Sequence, residues 1–161
     1  MDKRFLTIIA VLVIIFGGIV VFSRKSDNST GTSKSSQQAA SPTNHTSGAN
    51  KKGVTLIEYG DYQCPACGQS HPIVKQLIAK YKDDIKVQFR NFPLVSLHVN
   101  AFAGSRAAEA ASKQNKFWEM HDMLYETQQE WSSAPNPKTI FENYAKALGL
   151  NMDKYRADYS S

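Results

Sequence analysis

Cysteine is scarce in this sequence: there are two among 161 residues, Cys64 and Cys67, three positions apart. A disulfide-stapled secreted scaffold uses more cysteines, spread along the chain, so that class is excluded. What remains for the pair is redox chemistry or part of a metal site. No cysteine directly follows the N-terminal apolar run, which excludes a lipid-carrying anchor. One-sided charge is also missing where it would matter. The formal charge is +5, but residues 1–52 hold seven Lys and Arg against two Asp, and residues 53–161 hold twelve basic against twelve acidic groups. Nucleic-acid binding needs a basic stripe on the folded part itself, so no nucleic-acid partner is expected. The six prolines stand at 42, 65, 72, 93, 135 and 137, with none beyond.

The N-terminus divides into three parts. Residues 1–4 are expected to form a short cytoplasmic end. Residues 5–22, Phe5 to Phe22, are an 18-residue run with one Thr, two Gly and no charge. A helix of that length is about 27 Å long, close to the roughly 30 Å hydrocarbon core, so a single transmembrane signal anchor is expected. The run exceeds the h-region of a cleavable signal peptide, and no A-x-A-like site follows it. Lys3 and Arg4 on one side balance Arg24 and Lys25 on the other. Orientation therefore rests on the dithiol, which suits a disulfide-permitting compartment: cell membrane, single pass, domain extracytoplasmic. Residues 23–52, rich in Ser, Thr, Asn and Gln, have too little apolar surface to offset ordering entropy, and a disordered linker is expected.

From Gly53 the texture changes. Val54–Tyr59 reads as a buried strand ending at Gly60-Asp61, and Ile85–Phe92 alternates apolar and polar residues as a second strand. Between them Ile73, Val74, Leu77, Ile78 and Tyr81 recur at helical spacing. This order predicts a βαβ unit with Cys64-Pro65-Ala66-Cys67 at the helix start. Pro65 suits the first helical position, where its missing N–H costs nothing. Cys64 then falls at the N-cap, beside unsatisfied amides and the positive end of the helix dipole, a setting that favours thiolate over thiol. Cys64 is thus the candidate nucleophile and Cys67 the resolving thiol. The competing reading is zinc, since His71 extends the motif to C-x2-C-x3-H. A structural zinc needs four ligands, and His45, His98 and His121 offer no paired spacing, so no metal is expected. His71 reads as a surface helix residue. Asn100–Gln114, Phe117–Gln129 and Thr139–Leu148 carry helical periodicity, with Gly149 as a C-cap.

The segments Glu58-Tyr-Gly-Asp-Tyr-Gln-Cys-Pro-Ala-Cys67, Phe89-Arg-Asn-Phe-Pro-Leu94, His98-x-Asn-Ala101, Arg106-Ala-Ala-Glu-Ala110 and Lys116-Phe-Trp-Glu-Met-His-Asp122 resemble, in that order, the DsbA-type branch of the thioredoxin superfamily. The resemblance implies an α/β thioredoxin-like fold over 53–161 with a helical insertion at about 99–158. It implies dithiol–disulfide exchange on exported proteins with cysteine thiols, no cofactor beyond the dithiol, and a DsbB- or VKOR-type membrane redox partner. Glu58 matches a half-buried family carboxylate and is a candidate proton relay. His98 and His121 match family positions and read as packing or capping residues.

Two departures shape the expectations. The family oxidase often carries His where this chain has Ala66, so a less oxidising centre is expected. A reduction potential near about −120 mV would contradict that. The family also places a cis-proline loop, two strands and a helix after the insertion, and no proline here stands at that place. The C-terminal β-β-α half is therefore expected to be missing and the chain truncated. The 53–161 segment alone is expected to fold poorly, its first strand exposing an unpaired edge. The Pro65-Ala66 dipeptide is compatible with oxidase, isomerase and reductase directions. The alternative function is a membrane-tethered binding or scaffold module with an idle or metal-holding CxxC.

Overall fold

The computed structural model describes residues 45–161. The expected N-terminal segment 1–4, the anchor 5–22 and the linker up to residue 44 lie outside the described residues. Three strands form one sheet: β1 (His45–Ser47), β2 (Val54–Gly60) and β3 (Ile85–Asn91), in the order β1-β3-β2. The helix α1 (Pro65–Tyr81) connects β2 to β3, which pair in parallel with Val54 opposite Ile85 and Gly60 opposite Asn91. This is the predicted βαβ unit. Alternation in β3 turns Val87 and Phe89 into the core.

β1 corrects the linker boundary at 52. It pairs antiparallel with β3, His45 opposite Phe89 and Ser47 opposite Val87. A polar tripeptide becomes a strand here because main-chain pairing and two side-chain anchors supply what apolar burial does not. The His45 ring stacks on Phe117 at 3.4 Å between centroids, and its Nε2 lies 2.8 Å from Glu109 Oε1. The following turn is tied down as well: Ala49 N–H donates to the Lys82 carbonyl at 2.7 Å and Lys52 N–H to the Asp84 carbonyl at 2.9 Å. Gly48 adopts φ 99°, and a Cβ there would strike the Ile85 carbonyl.

A second correction concerns β2. Expected as a buried strand, it leaves Val54, Leu56, Ile57 and Tyr59 exposed. An apolar run is buried only where neighbours cover it, and among the described residues no strand lies beyond β2.

Five helices follow β3: α2 (Ala101–Ser112), α3 (Phe117–Glu126), α4 (Gln128–Trp131), α5 (Lys138–Ala147) and α6 (Met152–Ser160). Ala107, Ala108, Ala110 and Ala111 let α2 lie close to its neighbours. Around it pack Met120, Leu124, Trp131, Phe141 and Tyr155, all fully buried or nearly so. Gly149 ends α5 at φ 73°, as its position predicts. Among the described residues no helix is long and apolar enough to cross a membrane.

α1 meets the helical part through a different face from the one its pattern suggests. Ile73 is 69% exposed, and Leu77 and Tyr81 also face outward. His71, Val74 and Ile78, at i, i+3 and i+7, turn inward. His71 is 4% exposed, which overturns its reading as a surface residue. Its ring stacks on Tyr125 at 5.0 Å and meets His121 edge-on at 5.4 Å.

Candidate active site

The dithiol sits where β2 ends and α1 begins. Cys64 is the N-cap (φ −67°, ψ 122°), Pro65 opens the helix, and no side-chain hydrogen bond caps it. Both thiols are free and half-buried, while Pro65 and Ala66 are exposed. The motif thus stands at a helix start, the placement its local pattern predicts.

Asp61 holds the approach to the motif. Its carboxylate is 3% exposed and accepts from the Gln63 and Leu94 amides, at 2.8 and 3.0 Å, while Oδ2 lies 2.7 Å from His98 Nδ1. The Asp61 carbonyl accepts from the Cys64 N–H at 3.1 Å. His98 thus serves to fix Asp61, consistent with a packing or capping role.

The helical part grips the same loop from the other side. Gln128 Nε2 donates to the carbonyls of Tyr62 at 2.7 Å and Cys64 at 2.9 Å. Gln63 Nε2 donates to the Ser132 carbonyl at 2.7 Å, and Gln63 Oε1 accepts from the Asn100 N–H at 2.6 Å. Asn100 Nδ2 in turn reaches the carbonyls of Trp131, Ser132 and Ala134. These side-chain bonds to main chain fix the position of Cys64 relative to α4. Gln63, Asn100 and Gln128 carry no catalytic signature, and the sequence pattern did not single them out as site residues.

Electrostatics separate the groups around the motif. Burial pushes the Cys67 thiol up; a main-chain hydrogen bond from Asp61 opposes this, and the neighbouring Cys64 adds to it. Glu58, half-buried on β2, is also raised by burial. Tyr125 joins the same neighbourhood, its phenol raised by burial and then by the charges of Cys67, Glu58, Asp61 and Cys64. Tyr62 is raised too, chiefly by burial, and its hydroxyl lies 3.0 Å from His121 Nδ1. His121 is pushed down to about 3 by burial, and His71 is lowered for the same reason. Both imidazoles are therefore neutral at pH 7.

Two half-buried cysteines, one at a helix N-cap and the other in the first turn after it, form a fold-borne dithiol. A family model described as Thioredoxin matches residues 40–159. This chain belongs to the thioredoxin family. Within that family, the probable disulfide bond formation protein D of Bacillus anthracis is 33% identical over 162 aligned residues, covering 95% of this chain and 70% of that protein. The Na(+)/H(+) antiporter NhaA 3 of Salinispora tropica is 38% identical over 112 residues, 70% of this chain and 16% of that protein. Among solved structures, a thioredoxin-like oxidoreductase from Silicibacter pomeroyi superposes with a TM-score of 0.61 at 25% identity, covering 73% of this chain and 64% of that one. Wolbachia pipientis alpha-DsbA1 shares the fold, with a TM-score of 0.63 at 20% identity over 74% of this chain and 60% of that one. The DsbA-like resemblance of the thioredoxin-family chain is thus borne out in its α/β fold. The chain spans less than two thirds of both solved structures and about a sixth of the antiporter.

Proposed function

We propose that this chain is a membrane-anchored, extracytoplasmic thiol–disulfide oxidoreductase that exchanges disulfides with exported proteins through Cys64 and Cys67. The observation that carries the reading is the asymmetry of the dithiol: Cys64 caps α1 behind Pro65, while Cys67 lies inside the first turn with its proton held by burial. Membrane anchoring is supported by the uncharged run Phe5–Phe22.

In the oxidising direction a substrate thiolate attacks Cys64 Sγ in the disulfide form. The Cys64–Cys67 bond breaks, a mixed disulfide forms at Cys64, and the electron pair leaves with Cys67. Because burial favours the neutral Cys67, that sulfur takes up a proton after it leaves. A second substrate thiolate attacks the substrate sulfur of the mixed disulfide and expels Cys64, which completes the substrate disulfide. The dithiol is then reoxidised by a quinone-linked membrane partner of the DsbB or VKOR kind. Glu58, whose pKa burial raises, is the proton relay proposed for the site.

The test is turnover of a reduced, unfolded model substrate by the full chain with a renewable oxidant. Wild type forms substrate disulfides catalytically, and Cys64→Ser abolishes this. Unchanged turnover in Cys64→Ser contradicts the role given to Cys64, and no turnover in wild type with intact binding of a partner favours a tethered binding module instead.

A further inference from the structure

We propose that His71, His121 and Asp122 form a binding site for a divalent transition-metal ion of the zinc type, separate from the dithiol. One ligand atom from each of the three lies within 4.8 Å of the other two. Tetrahedral zinc with ligands at about 2.0–2.1 Å sets neighbouring donors roughly 3.3 Å apart. His71 Nε2 and Asp122 Oδ1 are already 3.6 Å apart, and the third donor, on His121, closes on them from within 4.8 Å.

Independent features point to a ligand. His71 is 4% exposed, yet its Nε2 has no hydrogen-bond partner; the carboxylate oxygens of Asp122 and Glu126 stand 3.6 and 4.0 Å away. A buried imidazole nitrogen left without a partner is costly unless something binds it. It lines an open cavity of ≈ 240 Å³ together with Val74, Lys75, Trp118, His121 and Asp122. The Tyr62 hydroxyl lies 3.0 Å from His121 Nδ1; in the metal-bound tautomer Nδ1–H donates to that oxygen and Nε2 is the ligating nitrogen. Such an outer partner fixes the tautomer of a metal-bound histidine. Imidazole with carboxylate is a donor set that suits zinc.

The present occupant of the carboxylate pair is itself a cation. Lys75 Nζ lies 2.7 Å from both Asp122 Oδ2 and Glu126 Oε1. Lys75 is half-exposed and can swing out, which frees Glu126 as a fourth donor. Because His71 is on α1 and the other donors are on α3, a bound ion clamps the helix that carries the dithiol to the helical part.

The test is zinc titration of the full chain by calorimetry, with Cys64 and Cys67 in the disulfide form so that neither sulfur is a ligand. One Zn²⁺ per chain is expected, with a rise in the thermal unfolding midpoint. His71→Phe, which keeps the stacking on Tyr125, and Asp122→Asn each remove a direct ligand and weaken binding by at least the roughly 10-fold that loss of an outer partner costs. Lys75→Met tightens binding several-fold by removing the competing cation. Absence of zinc binding by the folded, oxidised wild type overturns the site. So does binding that Asp122→Asn and Lys75→Met leave unchanged, which would place the ion elsewhere. Failure of the exchange assay with Cys64 leaves these readouts unaffected, so the two ideas fall separately.

Discussion

Gly68 and Gln128 form the sharpest test of how the helical part holds the dithiol. A Cβ built on Gly68 would stand 2.8 Å from Gln128 Oε1 and 3.0 Å from Nε2. The Gln128 side chain is long enough to swing aside, so the cost of Gly68→Ala is not a steric collision. It is the loss of the two hydrogen bonds from Nε2 to the Tyr62 and Cys64 carbonyls. At about 0.5–1.5 kcal/mol each, these sum to about 2 kcal/mol. The alanine itself favours the helix by about 1 kcal/mol over glycine. Gly68→Ala in the wild-type chain is therefore expected to destabilise by about 1 kcal/mol. In a Gln128→Ala background the two bonds are already gone, and the same substitution should stabilise by about 1 kcal/mol. The coupling energy is about 2 kcal/mol, large for a double-mutant cycle. Urea unfolding of the four proteins, followed by far-ultraviolet circular dichroism, measures it. An effect of the same sign and size in both backgrounds would refute the clamp.

Other consequences are simpler. Trp131→Ala empties the centre of the helical core, where Trp131 meets Phe141 edge-on at 5.2 Å, and should cost about 3–5 kcal/mol in the same unfolding assay. Burial raises Cys67, so its thiolate fraction keeps growing above pH 9; release of a mixed disulfide at Cys64 by Cys67 should accelerate steadily across pH 7–9 in stopped-flow, rather than level off. Glu58 is raised above 4.5 by burial, so the folded chain ionises it less readily than the unfolded one. Stability present below pH 4.5 is thus lost as pH rises through the raised value, and Glu58→Gln should be more stable than wild type at pH 7 and equal to it at pH 4. Ala66→His should raise the reduction potential measured against glutathione, whereas the wild-type centre should lie well below about −120 mV.

The parts of this molecule that were legible in the sequence are those set by neighbours along the chain. Pro65 after Cys64 marks a helix start, the alternation in Ile85–Asn91 marks a strand, and Phe141, Tyr144 and Ala145 mark a buried helical face, because each signal is complete within a few residues. What escaped depends on partners far away. β1 exists because β3 pairs with a tripeptide some forty residues before it in the chain, and nothing in His-Thr-Ser itself signals a strand. His71 is buried because Tyr125 and His121 cover it, while Ile73, two residues on and more apolar, is exposed. The loop grip of Asn100 and Gln128 joins a side chain to main-chain carbonyls 31 to 66 positions away, which no periodicity records. For Asp61, Tyr62, Gln63 and Asn100 the available signal was their place inside the family-like segments, not their chemistry.

The central claim is that Cys64 is the exchanging sulfur and Cys67 its resolving partner. Its most direct test is to mix the oxidised full chain with a one-cysteine peptide thiol, quench in acid, and map the mixed disulfide by mass spectrometry. The peptide should be found on Cys64, with Cys67 recovered as free thiol. Peptide attached to Cys67, or no adduct from a chain whose 64–67 disulfide is intact, would contradict the account.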